Sequence, residues 1–269
     1  MEIKFLAIVA IALASAAPAT TLFEQKFVCP VGGEKFKAMV IGSMTTWGQR
    51  PDGMPYGTTT IVPLTECPGN GFVFFEEKFE KADVERLTPL VTGAEYQSLR
   101  LTDTPYFRAW WLMNRLGRDP YDTAQTLLVA SWEGGPDLSR KARYQRSFVA
   151  SVDALPMSAA KKSDWFWLSL RSANLFRELG DFDKSTALLV KIDQPDTLPT
   201  DKDSLEDARY MIDALKLLNA DRNAKSEPTN LIPPMVALDY CAASTGLTPA
   251  EVSACKGPAI DKARRDRAR

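Results

Sequence analysis

Two short cysteine segments carry the most chemical information in this chain. The first reads Cys29-Pro30-Val31-Gly32-Gly33 and the second Glu66-Cys67-Pro68-Gly69-Asn70-Gly71. A tetrahedral four-thiolate metal site is built from a C-P-x-C-G turn at each of two places, so that four sulfurs converge on one ion. Here the second cysteine of each turn is replaced by Gly32 and Asn70, and the chain has no histidine to substitute. The layout of a metal site is present without its ligand set, so no bound metal and no cofactor is expected.

The missing histidine restricts other chemistry too. Ser-His-Asp and Cys-His catalysis and histidine-ligated zinc or haem are excluded. An enzyme would have to use carboxylates, lysine, tyrosine, serine or cysteine. S-x-x-K occurs at Ser158/Lys161 and Ser253/Lys256, without the partner motifs of a serine–lysine nucleophile. Asp181-Phe182-Asp183 and Asp201-Lys202-Asp203 offer too few oxygens for calcium and sit where helices begin, complementing the helix dipole. Neither cysteine pair has the C-x-x-C spacing of a redox site. No catalytic residue is therefore assigned.

The aromatic residues suggest binding. Trp110-Trp111 and Trp165-Phe166-Trp167 lie in helical stretches, where neighbours point about 100° apart and cannot all face one core. One of Trp110/Trp111 and one of Trp165/Trp167 is expected to be partly exposed, lining a surface for a protein or peptide partner.

These residues must be positioned by a chain of 269 residues with 45% hydrophobic content and six tryptophans, enough for a real core. Residues 1–19 read as a cleavable export signal: Lys4, an apolar run from Phe5 to Leu13, then Ala14-Ser15-Ala16-Ala17-Pro18-Ala19, with cleavage expected after Ala16 or Ala19. The run is too short to span a bilayer, and no later segment does so, which points to a bacterial periplasmic or secreted protein. In that compartment four cysteines read first as disulfides. Three pairings are possible, and the local one is favoured. The net charge of −1 gives no reason to expect nucleic acid. Lys256 to Arg269 holds six basic and two acidic residues, a tail capable of weak contact with an anionic surface.

Residues 20–80 read as β. Glu34 to Met44, Thr58 to Leu64 and Gly71 to Phe75 are strand candidates, with a Gly/Pro loop from Trp47 to Gly57. Residues 81–219 are helical. Thr92-Gly93-Ala94-Glu95 reads as a capping box. Further helices are expected at 105–116, 120–133, 138–152, 164–179, 182–192 and 205–218, with Pro105 and Pro120 opening the first two and Gly117, Gly134 and Gly180 closing the helices before them. Residues 220–269 read as a loop, a helical hairpin (235–245 and 249–255, with a second capping box at Thr248 and Glu251) and the basic tail. The fold class is α+β, mostly α.

Around Gly180, the run Ser172-Ala173-Asn174-Leu175-Phe176-Arg177-Glu178-Leu179-Gly180-Asp181-Phe182-Asp183-Lys184-Ser185 resembles the centre of a tetratricopeptide repeat. Trp111 to Leu128 is a looser version. With the two cysteine turns, Gly71-Phe72-Val73-Phe74-Phe75-Glu76-Glu77-Lys78-Phe79 and Ala124 to Trp132, the chain resembles a family of uncharacterised bacterial proteins. These join an N-terminal zinc-ribbon-like module to tetratricopeptide-like helices. The resemblance spans roughly Phe27 to Asp193 and implies an architecture, not an activity.

In a ribbon the two cysteine turns face each other across the metal, so loss of the ion would leave Cys29 and Cys67 able to bond. A turn at Gly246-Leu247-Thr248 would bring Cys241 and Cys255 together. The leading functional expectation is an exported, non-catalytic scaffold or adaptor with a helical-repeat surface. The alternatives are an enzyme acting on envelope polymer through paired carboxylates, and a metal-handling ribbon.

Overall fold

The computed structural model describes residues 20–243 and 245–268. The expected signal at 1–19 lies outside them. The fold is α+β and mostly α. Two antiparallel strand pairs come first: β1 (Thr21–Val28) with β2 (Lys35–Ser43), and β3 (Thr46–Gln49) with β4 (Pro55–Gly57). Helices follow as α1 (Lys81–Thr92), α2 (Ala94–Thr102), α3 (Pro105–Leu116), α4 (Pro120–Glu133), α5 (Leu138–Asp153), α6 (Lys162–Glu178), α7 (Phe182–Ile192) and α8 (Lys202–Ala220). The last three are α9 (Pro234–Ala243), α10 (Pro249–Cys255) and α11 (Pro258–Arg267). No helix among the described residues is long and apolar enough to cross a membrane.

The helical punctuation acts where its physics says it should. Pro105, Pro120, Pro249 and Pro258 each stand in the first turn of a helix, where the missing N–H is not needed and φ is already helical. Gly117 and Gly180 adopt φ of 70° and 81°, left-handed values that glycine reaches without strain. Thr248 and Glu251 form the expected reciprocal capping box. Ala173 is fully buried in the core of α6, and Phe182 at the start of α7 is buried with the Arg222 guanidinium over its ring at 4.8 Å.

Four sequence expectations are corrected. Thr92 ends α1 and donates to the Thr88 carbonyl at 2.8 Å, leaving Gly93 as a cap of α2 without a side-chain bond. Residues 58–64 form no strand; β-branched residues need a partner strand, and Pro63 removes a ladder donor. Gly71 to Phe75 makes one isolated bridge, Glu66 to Val73. The supposed loop 47–57 is the β3/β4 hairpin, turning through Pro51, Asp52 and Gly53. β1 was not anticipated. Within the basic tail α11 is ordered helix, burying Ile260 and Ala263 against α9. Three of its cations are paired, Lys262 with Asp266 and Arg264 with Asp261 within the helix, and Arg267 with Asp239 of α9.

The core has three parts. The largest lies among α3 to α8, around Phe148, Phe166, Leu170 and Leu215. A second joins the cysteine turns and Phe72 to α1–α3, and Trp110 packs against both. The third sits under α9 and α11.

Candidate functional site

The cysteine turns have matching backbones. Cys29 N–H donates to Glu34 O and Gly33 N–H to Cys29 O; Cys67 N–H donates to Phe72 O and Gly71 N–H to Cys67 O. Gly32, Gly33 and Gly71 hold the positive φ these turns require. The two turns face each other, and Cys29 and Cys67 are joined across them by a disulfide. Asn70, three residues after Cys67, donates from Nδ2 to the Val31 carbonyl at 2.7 Å. A Cβ built on Gly32 would stand 3.7 Å from that same nitrogen, so positions 32 and 70 still face each other. The sulfurs are committed to each other, and a hydrogen bond spans the remaining positions.

Side chains from α2 and α3 clamp the second turn. Arg100 donates to Pro68 O and Gly69 O, Gln97 to Asn70 O, and Tyr96 and Arg108 to Gly71 O, all at 2.7–3.0 Å. Arg108 is buried and also pairs with Glu66 at 2.8 Å. Four consecutive carbonyls are thus satisfied from the helices, the buried Gly71 among them, and this leaves the turn's backbone acceptors paired. This geometry is structural cement rather than an open site.

The open site lies elsewhere. A groove of about 340 Å³ runs between α4 and α6, with the β3/β4 hairpin across one end. Helix α4 contributes Tyr121, Gln125, Leu128 and Trp132, spaced at helical intervals along one face; Asp122 stands beside them. Helix α6 contributes Asp164, Trp167, Leu168 and Arg171, and the hairpin adds Gln49 and Gly53. The walls are aromatic and aliphatic, and their polar groups point to a few places.

Asp122 and Asp164 are exposed in the first turns of their helices, where a carboxylate complements the helix dipole. Lys161 links this end of the groove. Its ammonium lies 3.4 Å from Asp164, 3.7 Å from Asp119 and 5.2 Å from the Tyr121 ring centre. Burial raises the Tyr121 pKa, with its hydroxyl donating to Pro156 O.

Arg171 marks the other end. Its Nη1 donates to Pro51 O at 2.5 Å, the one hydrogen bond it makes among the described residues. Burial lowers its pKa, opposed by the charge of Asp52. Asp52 is itself fully buried and committed, both oxygens to Arg50 and one also to the Met54 N–H at 3.1 Å. Arg171 therefore retains unused donors beside Gly53, where a Cβ would approach its Nε to 3.1 Å.

Behind the groove a polar network fixes α6. Glu178 accepts from Lys141 at 3.1 Å, Gln145 at 3.0 Å, Ser226 at 2.8 Å and Asn174 at 2.9 Å. Arg177, with no exposed surface, donates to Asn174 Oδ1 and to the Asn223 and Lys225 carbonyls. Burial lowers its pKa against the opposing charges of Glu178, Asp52 and Glu251. Glu227 accepts from Tyr56 and Tyr240, fastening the hairpin to the 221–233 segment and α9. Buried charge with this many partners holds elements in one arrangement.

Of the four tryptophans singled out from sequence, only Trp167 lines the groove. Trp165 and Trp111 are buried, the latter donating to Glu95 at 3.2 Å. Trp110 is half-buried between the two larger cores. Trp132 was missed, although its spacing from Tyr121, Gln125 and Leu128 traces one helix face. Cys241 and Cys255 are disulfide-bonded, as the turn between their helices suggested. No family model, curated protein or solved structure matches the chain.

Proposed function

We propose that this is an exported, non-catalytic interaction protein that holds an extended segment of a protein or peptide partner in the α4/α6 groove. The observation that carries the reading is the groove's polarity. Two exposed carboxylates stand at one end, a cation with unused donors at the other, and Trp132, Trp167, Leu128 and Leu168 lie between. Asp164 and Arg171 are seven residues apart on one helix, about 10 Å of rise, which matches roughly three residues of extended peptide.

Solvent-exposed carboxylates at helix starts argue against the polymer-cleaving alternative, because a general acid needs burial to keep its proton. The disulfides favour an oxidising compartment, in keeping with the periplasm or the exterior. The paired cysteine turns and the Gly180 hairpin support a relation to the ribbon-plus-tetratricopeptide family, with the metal function lost.

Filling the groove tests the reading. Gln125 is exposed, so Gln125→Trp should leave the melting temperature nearly unchanged while abolishing partner recovery from the native envelope. Trp167→Ala should weaken recovery too. Undiminished recovery with Gln125→Trp would refute the groove as the binding surface.

A further inference from the structure

The β1/β2 hairpin is unusual in what it leaves uncovered. Two strands alone are marginal in water, and an open edge invites pairing. Every residue of β1 except Phe27 is exposed, including Leu22 at 55%, Phe23 at 49% and Val28 at 58%. Among the described residues β1 pairs with β2 alone, so its other edge carries free N–H and C=O groups. The hairpin is anchored at its turn end, where Phe27 stacks on Phe36 at 5.5 Å and meets Phe74 at 5.4 Å, and its open end is tied by the Thr20 hydroxyl, which donates to Thr58 at 2.6 Å.

The β1 sequence is complementary to itself. Reading outward from Gln25, Glu24 mirrors Lys26, Phe23 mirrors Phe27, and Leu22 mirrors Val28. In an antiparallel pair of two β1 strands centred on Gln25, each Glu24 would face the other copy's Lys26. Phe23 would face Phe27, and Leu22 would face Val28. Directly opposed residues in such a pair share a face of the sheet, so the two-fold arrangement keeps both anchored faces on one side.

The hairpin's charges favour the same partner. Within one chain Lys26 stands opposite Lys37, and like charges directly opposed are unfavourable. Glu24 is drawn diagonally to Lys37 at 2.6 Å, which leaves Lys26 without an acidic neighbour on its strand partner. A second copy supplies Glu24 at that place. It also brings Phe23 beside the Phe27–Phe36–Phe74 cluster.

We infer that the free edge of β1 is a self-association surface, through which two copies of this chain join their hairpins into one four-stranded antiparallel sheet with its two-fold axis at Gln25. A closed two-fold contact of this kind uses one patch twice and removes the exposed edge. The inference is independent of the groove.

Analytical ultracentrifugation of the full chain, oxidised at both native disulfides, tests it. The wild type should dimerise in the micromolar range. Glu24→Lys turns two symmetry-related ion pairs into repulsions and should weaken the dimer by about tenfold or more. Combining Glu24→Lys with Lys26→Glu restores complementarity and should bring the dimer back. Gln25→Cys should form an intermolecular disulfide on oxidation, whereas Met39→Cys on the opposite edge should not. A chain that stays monomeric throughout the micromolar range, a dimer indifferent to Glu24→Lys, or crosslinking from Met39→Cys alone would overturn the inference. Circular dichroism identifies any variant that fails to fold. The Gln25→Cys crosslink decides independently of the charge variants.

Discussion

Arg171 of α6 and Pro51 of the β3/β4 turn are 120 residues apart in sequence and joined by one hydrogen bond of 2.5 Å. That contact brings a segment from the cysteine-turn region onto the helices and sets the end of the groove. It also leaves a half-buried guanidinium with donors to spare, which is costly unless something completes it.

Arg171 therefore has two roles that can be separated. Arg171→Met should retain the fold, because burial of the cation is itself unfavourable, and should change the melting temperature by only a few degrees. Partner affinity should fall by about tenfold or more, the loss expected of a charge-assisted hydrogen bond. Equal affinity in a calorimetric titration of the variant would remove Arg171 from the site.

Glu251 gives the fold a pH dependence. It is fully buried, and its pKa is lowered: the opposing effect of burial is outweighed by Lys225, which donates at 2.7 Å, and by the Thr248 and Thr229 N–H groups. A carboxylate with a depressed folded pKa contributes stability that is fully present above its unfolded value near 4.3 and is lost as pH falls through the folded value. Glu251→Gln should destabilise the chain at neutral pH by about 1–3 kcal/mol. The difference from wild type should shrink in denaturant titrations below about pH 4. A difference that stays constant with pH would contradict this account.

The Cys241–Cys255 bridge closes a short loop, with a sequence separation of 14. Loops of that size stabilise by about 3 kcal/mol in the chain-entropy account. Cys241→Ala with Cys255→Ala should lower stability by that order and loosen α9 to α11 selectively in hydrogen exchange. Non-reducing peptide mapping of the wild type should return Cys29–Cys67 and Cys241–Cys255. A Cys67–Cys241 peptide would overturn the pairing.

The facing turns also make a gain-of-function prediction. Gly32→Cys with Asn70→Cys places a thiol at each of the two facing positions. In reduced protein the four sulfurs should then bind one zinc ion, measurable by elemental analysis and released by a chelator. The positive φ at Gly32 opposes the change, so the affinity should be below that of an unstrained site. No zinc under reducing conditions would show that the turns do not converge as described.

Local signals were readable along much of the chain. Pro120 at the start and Gly134 at the end bound α4 as expected, and α7 and α10 follow their punctuation equally closely. Strands were harder, because a strand is defined by its partner. Residues 58–64 have the right composition and nothing to pair with, while β3 and β4 pair across a Pro51-Asp52-Gly53 turn that reads as loop. In α11 only Ile260 and Ala263 face the core, so charge hides the amphipathic pattern.

The candidate site was half legible. Asp164, Trp167, Leu168 and Arg171, like Tyr121, Gln125, Leu128 and Trp132, follow helical spacing that marks one face. What the sequence lacks is the long-range arrangement. The approach of the hairpin, the commitment of Asp52 to Arg50, and the resulting isolation of Arg171 exist only once segments 120 residues apart have met.

The groove claim is tested most directly by site-specific photocrosslinking in the native envelope. A photoreactive residue at position 125 lies inside the groove; one at position 101 replaces Leu101, which is 87% exposed and does not line it. The account predicts that position 125 captures a defined peptide segment of one partner protein, that added free segment competes the product away, and that position 101 does not capture it. Equal capture from both positions, or capture of a polysaccharide at position 125, would contradict it.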